Sequence, residues 1–89
     1  MSTPRIYVAC LAAYNAGHLH GTWIQANQAV EDIRSEVSAM LTASPEPNAE
    51  EWAIHDYEGF GEIRLRAWET LERVTTIAAG ITKHGVSIR

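Results

Sequence analysis

An apolar run near the start of the chain limits the folds that this sequence can adopt. Residues 5–14 read RIYVACLAAY, so both the even-numbered and the odd-numbered positions after Arg5 are largely apolar. Successive side chains of a strand point to opposite faces of a sheet. Such a run therefore predicts an extended strand in the middle of a sheet or covered on both faces. Cys10 lies within the run, which predicts a buried, unreactive thiol, and this single cysteine excludes an internal disulfide.

Two further strands are predicted from turn residues and short apolar runs. Asn15 and Gly17 supply turn chemistry, and residues 18–24 are expected to return as a hairpin partner of the first strand. A third strand is expected over residues 52–57. Alternation divides its side chains between two faces, with Trp52 and Ile54 on one and Ala53, His55 and Tyr57 on the other.

Two helices are predicted from apolar stripes. The first is expected to have Asn27 as its N-cap and to end before Pro45, because proline disfavours helical geometry at the preceding residue. The second is expected to have Thr70 as its N-cap and to end before Gly85. The two stripes comprise Val30, Ile33, Val37, Met40 and Leu41, then Leu71, Val74, Ile77, Ala78 and Ile81. The predicted fold is α+β, with a small three-stranded antiparallel sheet and two helices in the order β-β-α-β-α.

Length and composition set the broad class of the protein. A chain of 89 residues predicts a single domain over residues 1–89, with one modest core. The sequence has no N-terminal signal pattern and no apolar run long enough to cross a bilayer. Together with the absence of a disulfide framework, these features predict a cytoplasmic protein.

Charge is distributed unevenly along the chain. Residues 1–30 carry a net charge of +1, residues 31–62 carry −8 and residues 63–89 carry +3. The central acidic block disfavours nucleic-acid binding and favours a basic partner surface. Residues 50–61 hold four carboxylates and three aromatic residues but no lysine or arginine, which suggests a rigid surface displaying anions. An ordinary solvated strand with polar ends explains the same residues. The candidate partner-binding residues are the acids Glu31, Asp32, Glu36, Glu46, Glu50, Glu51, Asp56 and Glu58.

Metal binding and catalysis are the competing functions. His18 and His20 form an H-x-H pair that would share one strand face, but no further ligand has a fixed spacing to them. Cys10, His55 and Asp56 contain the residue types of a nucleophile, a base and an orienting acid. Cys10, however, lies in a predicted core strand, and the chain has no Gly-rich phosphate loop and no activated-serine motif. The sequence therefore predicts no enzymatic activity, no cofactor and no metal site.

Three stretches of this sequence resemble the ArdA antirestriction family, which is encoded by mobile genetic elements. They are PRIYVACLAAYN at residues 4–15, GTWI at residues 21–24 and EEWAIHDYEGF at residues 50–60. The last stretch is long and unusual in composition, so the resemblance is specific, and it covers most of the chain. Family members are longer, and the chain is therefore expected to correspond to the ArdA N-terminal domain, either truncated or naturally short.

The resemblance implies a function that periodicity and composition do not reveal. ArdA proteins are acidic DNA mimics that occupy the DNA-binding cleft of type I restriction–modification enzymes in the host bacterial cytoplasm. The eight candidate acids would then meet lysine and arginine side chains that normally bind phosphates. Neither nucleic acid nor a membrane is expected as a partner, and oligomerisation stays open. The alternative is an acidic interaction domain that binds another basic protein, such as a CRISPR effector.

Overall fold

The computed structural model describes residues 3–47, 49–61, 63–66 and 68–84. These residues form three strands and three helices. In chain order they are β1 (Arg5–Cys10), α1 (Leu11–Asn15), β2 (Gly21–Gln25), α2 (Val30–Thr42), β3 (Trp52–Glu58) and α3 (Leu71–His84). The α+β class and the three-stranded antiparallel sheet are thereby confirmed. Within the described residues, no helix is both long and apolar enough to cross a membrane.

The sheet has the order β2-β1-β3, so the apolar run indeed supplies the central strand. Both neighbours pair with β1 in antiparallel register, and Val8 lies opposite Thr22 on one side and Ile54 on the other. Cys10 is fully buried, as predicted. Its thiol donates a hydrogen bond to the Ser44 hydroxyl, with an Sγ–Oγ distance of 3.4 Å.

The predicted length of the first strand is wrong. The run from Arg5 to Tyr14 does not stay extended, because β1 ends at Cys10 and the next five residues form α1. Leucine and alanine have high helix propensity, and a run that is apolar throughout fits a buried helical turn as well as a strand. Ala13 is buried within α1. The described residues therefore contain one short helix more than the two that the sequence predicts.

The predicted faces of β3 are also wrong at one position. Tyr7 pairs with Asp56 while its neighbour Val8 pairs with Ile54, which leaves His55 as the extra residue of a β-bulge. Strict alternation breaks at this point. Tyr57 therefore lies opposite Ile6, on the face that carries Ile54, and its ring meets Phe60 edge to face at a centroid distance of 5.8 Å.

The core lies between the sheet and helices α2 and α3. It is built from side chains that alternate along the strands and follow the predicted stripes of both helices: Ile6, Val8, Ile24 and Ile54 from the sheet, Ile33, Val37 and Met40 from α2, and Leu71, Val74 and Ala78 from α3. Phe60 is also buried in it. Burying one aliphatic side chain of this size contributes about 1.5–3 kcal/mol, so these contacts supply most of the driving force for folding.

Helix capping agrees with the sequence at one helix and differs at the other. The Thr70 hydroxyl accepts a hydrogen bond from the Arg73 backbone N–H at 3.1 Å, which confirms Thr70 as the cap of α3. The N-cap of α2 is Ala29 instead of Asn27, and it makes no side-chain cap bond. The predicted stop at Gly85 lies outside the described residues.

Replacing Gly80 by alanine should stabilise the protein. Gly80 lies inside α3, and a Cβ added there would meet no atom within 4 Å. We expect the Gly80→Ala variant to gain about 0.5–1 kcal/mol of unfolding free energy, because alanine lowers the conformational entropy lost on helix formation. Urea denaturation measures the gain, and a lower midpoint for the variant would contradict the prediction.

Candidate functional site

The strand β3 lies at one edge of the described sheet and carries the highest density of acidic residues. We define the acidic edge as Glu50, Glu51, Asp56 and Glu58, all of which are exposed. Its backbone is fixed at the first end, where the Glu51 carbonyl accepts a hydrogen bond from the Leu11 N–H at 2.9 Å. The acids of this edge are therefore displayed from an ordered element of the fold.

Local hydrogen bonds orient two carboxylates of the acidic edge. An Asp56 carboxylate oxygen accepts a hydrogen bond from the Tyr57 backbone N–H at 2.8 Å. A Glu58 carboxylate oxygen accepts from Arg5 Nη2 at 2.8 Å and from Arg5 Nε at 3.1 Å. Asp56 and Glu58 are cross-strand partners of Tyr7 and Arg5, so both project from the sheet face opposite the helices.

The predicted acids of α2 form a second, separate group. Glu31 and Asp32 lie in the first turn of α2, where their charge interacts favourably with the positive end of the helix dipole. Glu36 accepts a hydrogen bond from Gln28 Nε2 at 2.7 Å and lines a shallow groove beside Thr22 of β2. This helix packs on the sheet face opposite Asp56 and Glu58. The eight candidate acids therefore do not form one continuous surface.

The remaining predicted acid, Glu46, belongs to the loop between α2 and β3. It is half-buried, and its backbone N–H donates to the Ser44 hydroxyl at 3.2 Å. Glu50 and Glu51 are the last residues before β3. Glu46 thus precedes the acidic edge in the chain and is less exposed than its four acids.

The open face of the sheet carries residues that the sequence did not single out. We define it by Arg5, Tyr7 and Trp23 together with Asp56 and Glu58, which all project away from the helices. The Tyr7 and Trp23 rings meet edge to face at a centroid distance of 5.4 Å. The Arg5 guanidinium carbon lies 4.6 Å from the centre of the Trp23 ring. The odd-numbered residues Arg5 and Tyr7 of β1 lie on this face. Only the structure shows which residues of β2 and β3 lie beside them.

Most of the candidate acids form no ion pair within the described part of the chain. Within the described part of the chain, Glu58 is the only one of the eight that pairs with arginine or lysine. Arg34 pairs with Glu72 at 2.7 Å, which connects α2 to α3. A hydrogen bond from its own backbone N–H, followed by the Arg34 guanidinium, holds the pKa of Glu72 below its usual range. Three of the four acids of the acidic edge therefore have no ion pair among the described residues.

The histidines do not converge on a site in the described structure. The His20 ring makes a hydrogen bond of 2.8 Å with the Met40 carbonyl, whereas His18 is exposed. His55 stacks edge to face on Tyr14 at a centroid distance of 5.0 Å. Among the described residues, no group of three or more His, Cys, Asp or Glu side chains is placed to hold a metal ion.

Comparison with known proteins gives the family of the chain. The family model described as "Antirestriction protein (ArdA)" matches residues 6–88 of the 89. No curated protein matches the sequence. The family is one of antirestriction inhibitors that act on restriction–modification enzymes, and it is not known for catalysis. The match covers all six helices and strands except the first residue of β1, and the chain therefore belongs to the ArdA family of antirestriction proteins.

Proposed function

We propose that this protein inhibits a type I restriction–modification enzyme by presenting carboxylates where the enzyme binds the phosphates of DNA. The observation that carries the proposal is the acidic edge, which is exposed on and just before an edge strand and which, among the described residues, is paired with a base only at Glu58. Family membership supports an antirestriction role, and the charge of this edge supports mimicry as its mechanism.

The spacing of a strand suits this role. A β-strand rises about 3.3 Å per residue, and each strand of B-DNA has one phosphate about every 3.4 Å of helix axis. Side chains two residues apart on one face, such as Asp56 and Glu58, are therefore separated by about the axial rise of two phosphates of one DNA strand. The arginine and lysine side chains of the enzyme then donate charge-assisted hydrogen bonds to these carboxylates at the positions where they otherwise bind phosphates.

The length of the edge limits how much DNA it can imitate. A fully extended chain from Glu50 to Glu58 spans at most roughly 26 Å, which is the axial rise of about eight phosphates of one DNA strand. The acidic edge offers four carboxylates over that distance. Mimicry of this kind relies on the position of individual charges, because its charge density is about half that of the DNA strand.

Competition with duplex DNA tests the proposal. Binding of the chain to a purified type I enzyme should be displaced by cognate duplex DNA, and it should weaken steeply as the salt concentration rises. A short glutamate peptide with the same net charge of −4 serves as the control for unspecific charge binding. A ternary complex of chain, enzyme and DNA would contradict mimicry and favour a generic acidic interaction domain. Binding to another basic nucleic-acid effector in place of the type I enzyme would contradict the proposed target.

A further inference from the structure

We propose that the open face is a receptor for an arginine side chain of the target, and that Arg5 occupies this receptor in the free protein. The inference rests on the proposed function only for the identity of the target. It gives a function to the contacts among Arg5, Trp23 and Glu58, which mimicry by the acidic edge does not require. In this role Arg5 is a placeholder, which an incoming guanidinium displaces.

The contacts of Arg5 define the chemistry of the receptor. Its guanidinium lies over the Trp23 ring at 4.6 Å, and two of its nitrogens donate to one oxygen of Glu58 at 2.8 and 3.1 Å. Stacking on an aromatic face combined with charge-assisted hydrogen bonds to a carboxylate is characteristic of guanidinium recognition. A lysine ammonium lacks the planar group that stacks, so the receptor should prefer arginine to lysine.

The position of Arg5 makes an exchange feasible. The Arg5 and Glu58 side chains are 39% and 46% exposed, so an incoming group can reach both and Arg5 can move into solvent. Exposed ion pairs and exposed cation–π contacts are individually weak, so little stabilisation opposes the release of Arg5.

A second carboxylate favours the incoming group over Arg5. Asp56 lies two residues before Glu58 on the same face, opposite Tyr7, and no basic side chain of the described residues pairs with it. A target surface that carries several arginines can engage Asp56 and Glu58 together, whereas Arg5 reaches only Glu58. The charge of the open face is therefore complementary to an arginine-rich surface.

Titration with short basic peptides tests the placeholder. The isotope-labelled chain is titrated with a hexa-arginine peptide, and the Trp23 indole N–H resonance reports binding. The Arg5→Gln variant should bind this peptide about threefold to tenfold more tightly than the wild type, because Glu58 and Trp23 are then free. Arg34→Gln is the matched control, since it also removes one positive charge and one exposed ion pair, but on α2. Its affinity should stay within about twofold of the wild type.

Three results would overturn the inference. They are equal affinities of Arg5→Gln and Arg34→Gln, an unmoved Trp23 resonance, or equal affinity for hexa-lysine and hexa-arginine. The dispersion of the amide spectrum shows whether each variant is folded. The peptide assay contains no restriction enzyme, so its outcome is independent of the competition with DNA. A receptor for arginine would survive a failure of the proposed target, and the converse also holds.

Discussion

Neutralising the acidic edge should weaken binding to the restriction–modification enzyme roughly 10- to 100-fold while the fold is kept. The variant combines Glu50→Gln, Glu51→Gln and Asp56→Asn, and it leaves Glu58 in its ion pair with Arg5. Each exposed charge pair contributes up to about 1 kcal/mol, and three such losses correspond to the expected range. The three side chains are exposed, so their amide replacements should leave the unfolding free energy nearly unchanged.

The control for this variant is the same charge change on the other side of the sheet. Glu31→Gln, Asp32→Asn and Glu36→Gln together also raise the net charge by three, but they lie on α2. If the acidic edge carries the mimicry, this second variant should lose less than about threefold in affinity, through long-range attraction alone. Equal losses in the two variants, measured as dissociation constants at one salt concentration, would remove the special role of the edge. A larger loss on α2 would transfer the mimicry to the helix.

Replacing Gly59 by alanine should destabilise the protein by about 2–4 kcal/mol, a large fraction of the stability of a small domain. Gly59 has φ of 81°, and an added Cβ would lie 2.8 Å from the Thr3 carbonyl oxygen and 2.9 Å from Pro4 Cα. These are backbone atoms. They cannot move away easily, because the Pro4 carbonyl accepts a hydrogen bond from the Ala26 N–H at 2.9 Å.

The Gly61→Ala variant separates the two causes of this destabilisation. Gly61 also has a positive φ, of 62°, but an added Cβ would meet nothing within 4 Å. It should therefore lose only the conformational preference of glycine, about 1 kcal/mol. Urea denaturation gives the loss of unfolding free energy for both variants. The difference between the two losses is the cost of the close contact of the added Cβ with Thr3 and Pro4. Equal losses would show that the contact with Thr3 and Pro4 does not limit the turn.

The parts of the fold that could be predicted depend on local patterns. The central position of β1 followed from apolar residues at both parities, since only a strand with two neighbours or two covered faces tolerates them. The stripe of α2 and the Thr70 cap of α3 likewise use residues within a few positions of each other. The end of β1 was not predictable in this way, because the apolar run continues past residue 10 and periodicity alone does not distinguish a buried strand from a buried helical segment.

The candidate site depends on pairings across the sheet, which the sequence does not encode locally. The eight acids were visible from the charge distribution, but the position of Asp56 and Glu58 on the sheet face opposite α2 follows from the strand pairing. The contacts between Arg5, Trp23 and Glu58 join three different strands, and residues 5 and 58 are far apart in the chain. A basic residue at the start of an apolar strand gave no indication of these partners.

The bulge at His55 determines which side chains of β3 face the core and which face outward. Without the extra residue, strict alternation would turn Tyr57 outward and place Asp56 and Glu58 in phase with Ile54, against the hydrophobic interior. The extra residue thus places Asp56 and Glu58 on the exposed face and Tyr57 on the core face. In a relative without the extra residue, every later side chain of this strand would lie on the opposite face. Such a relative needs apolar residues at the positions of Asp56 and Glu58 and a polar residue at the position of Tyr57 to keep both its hydrophobic core and its exposed charge.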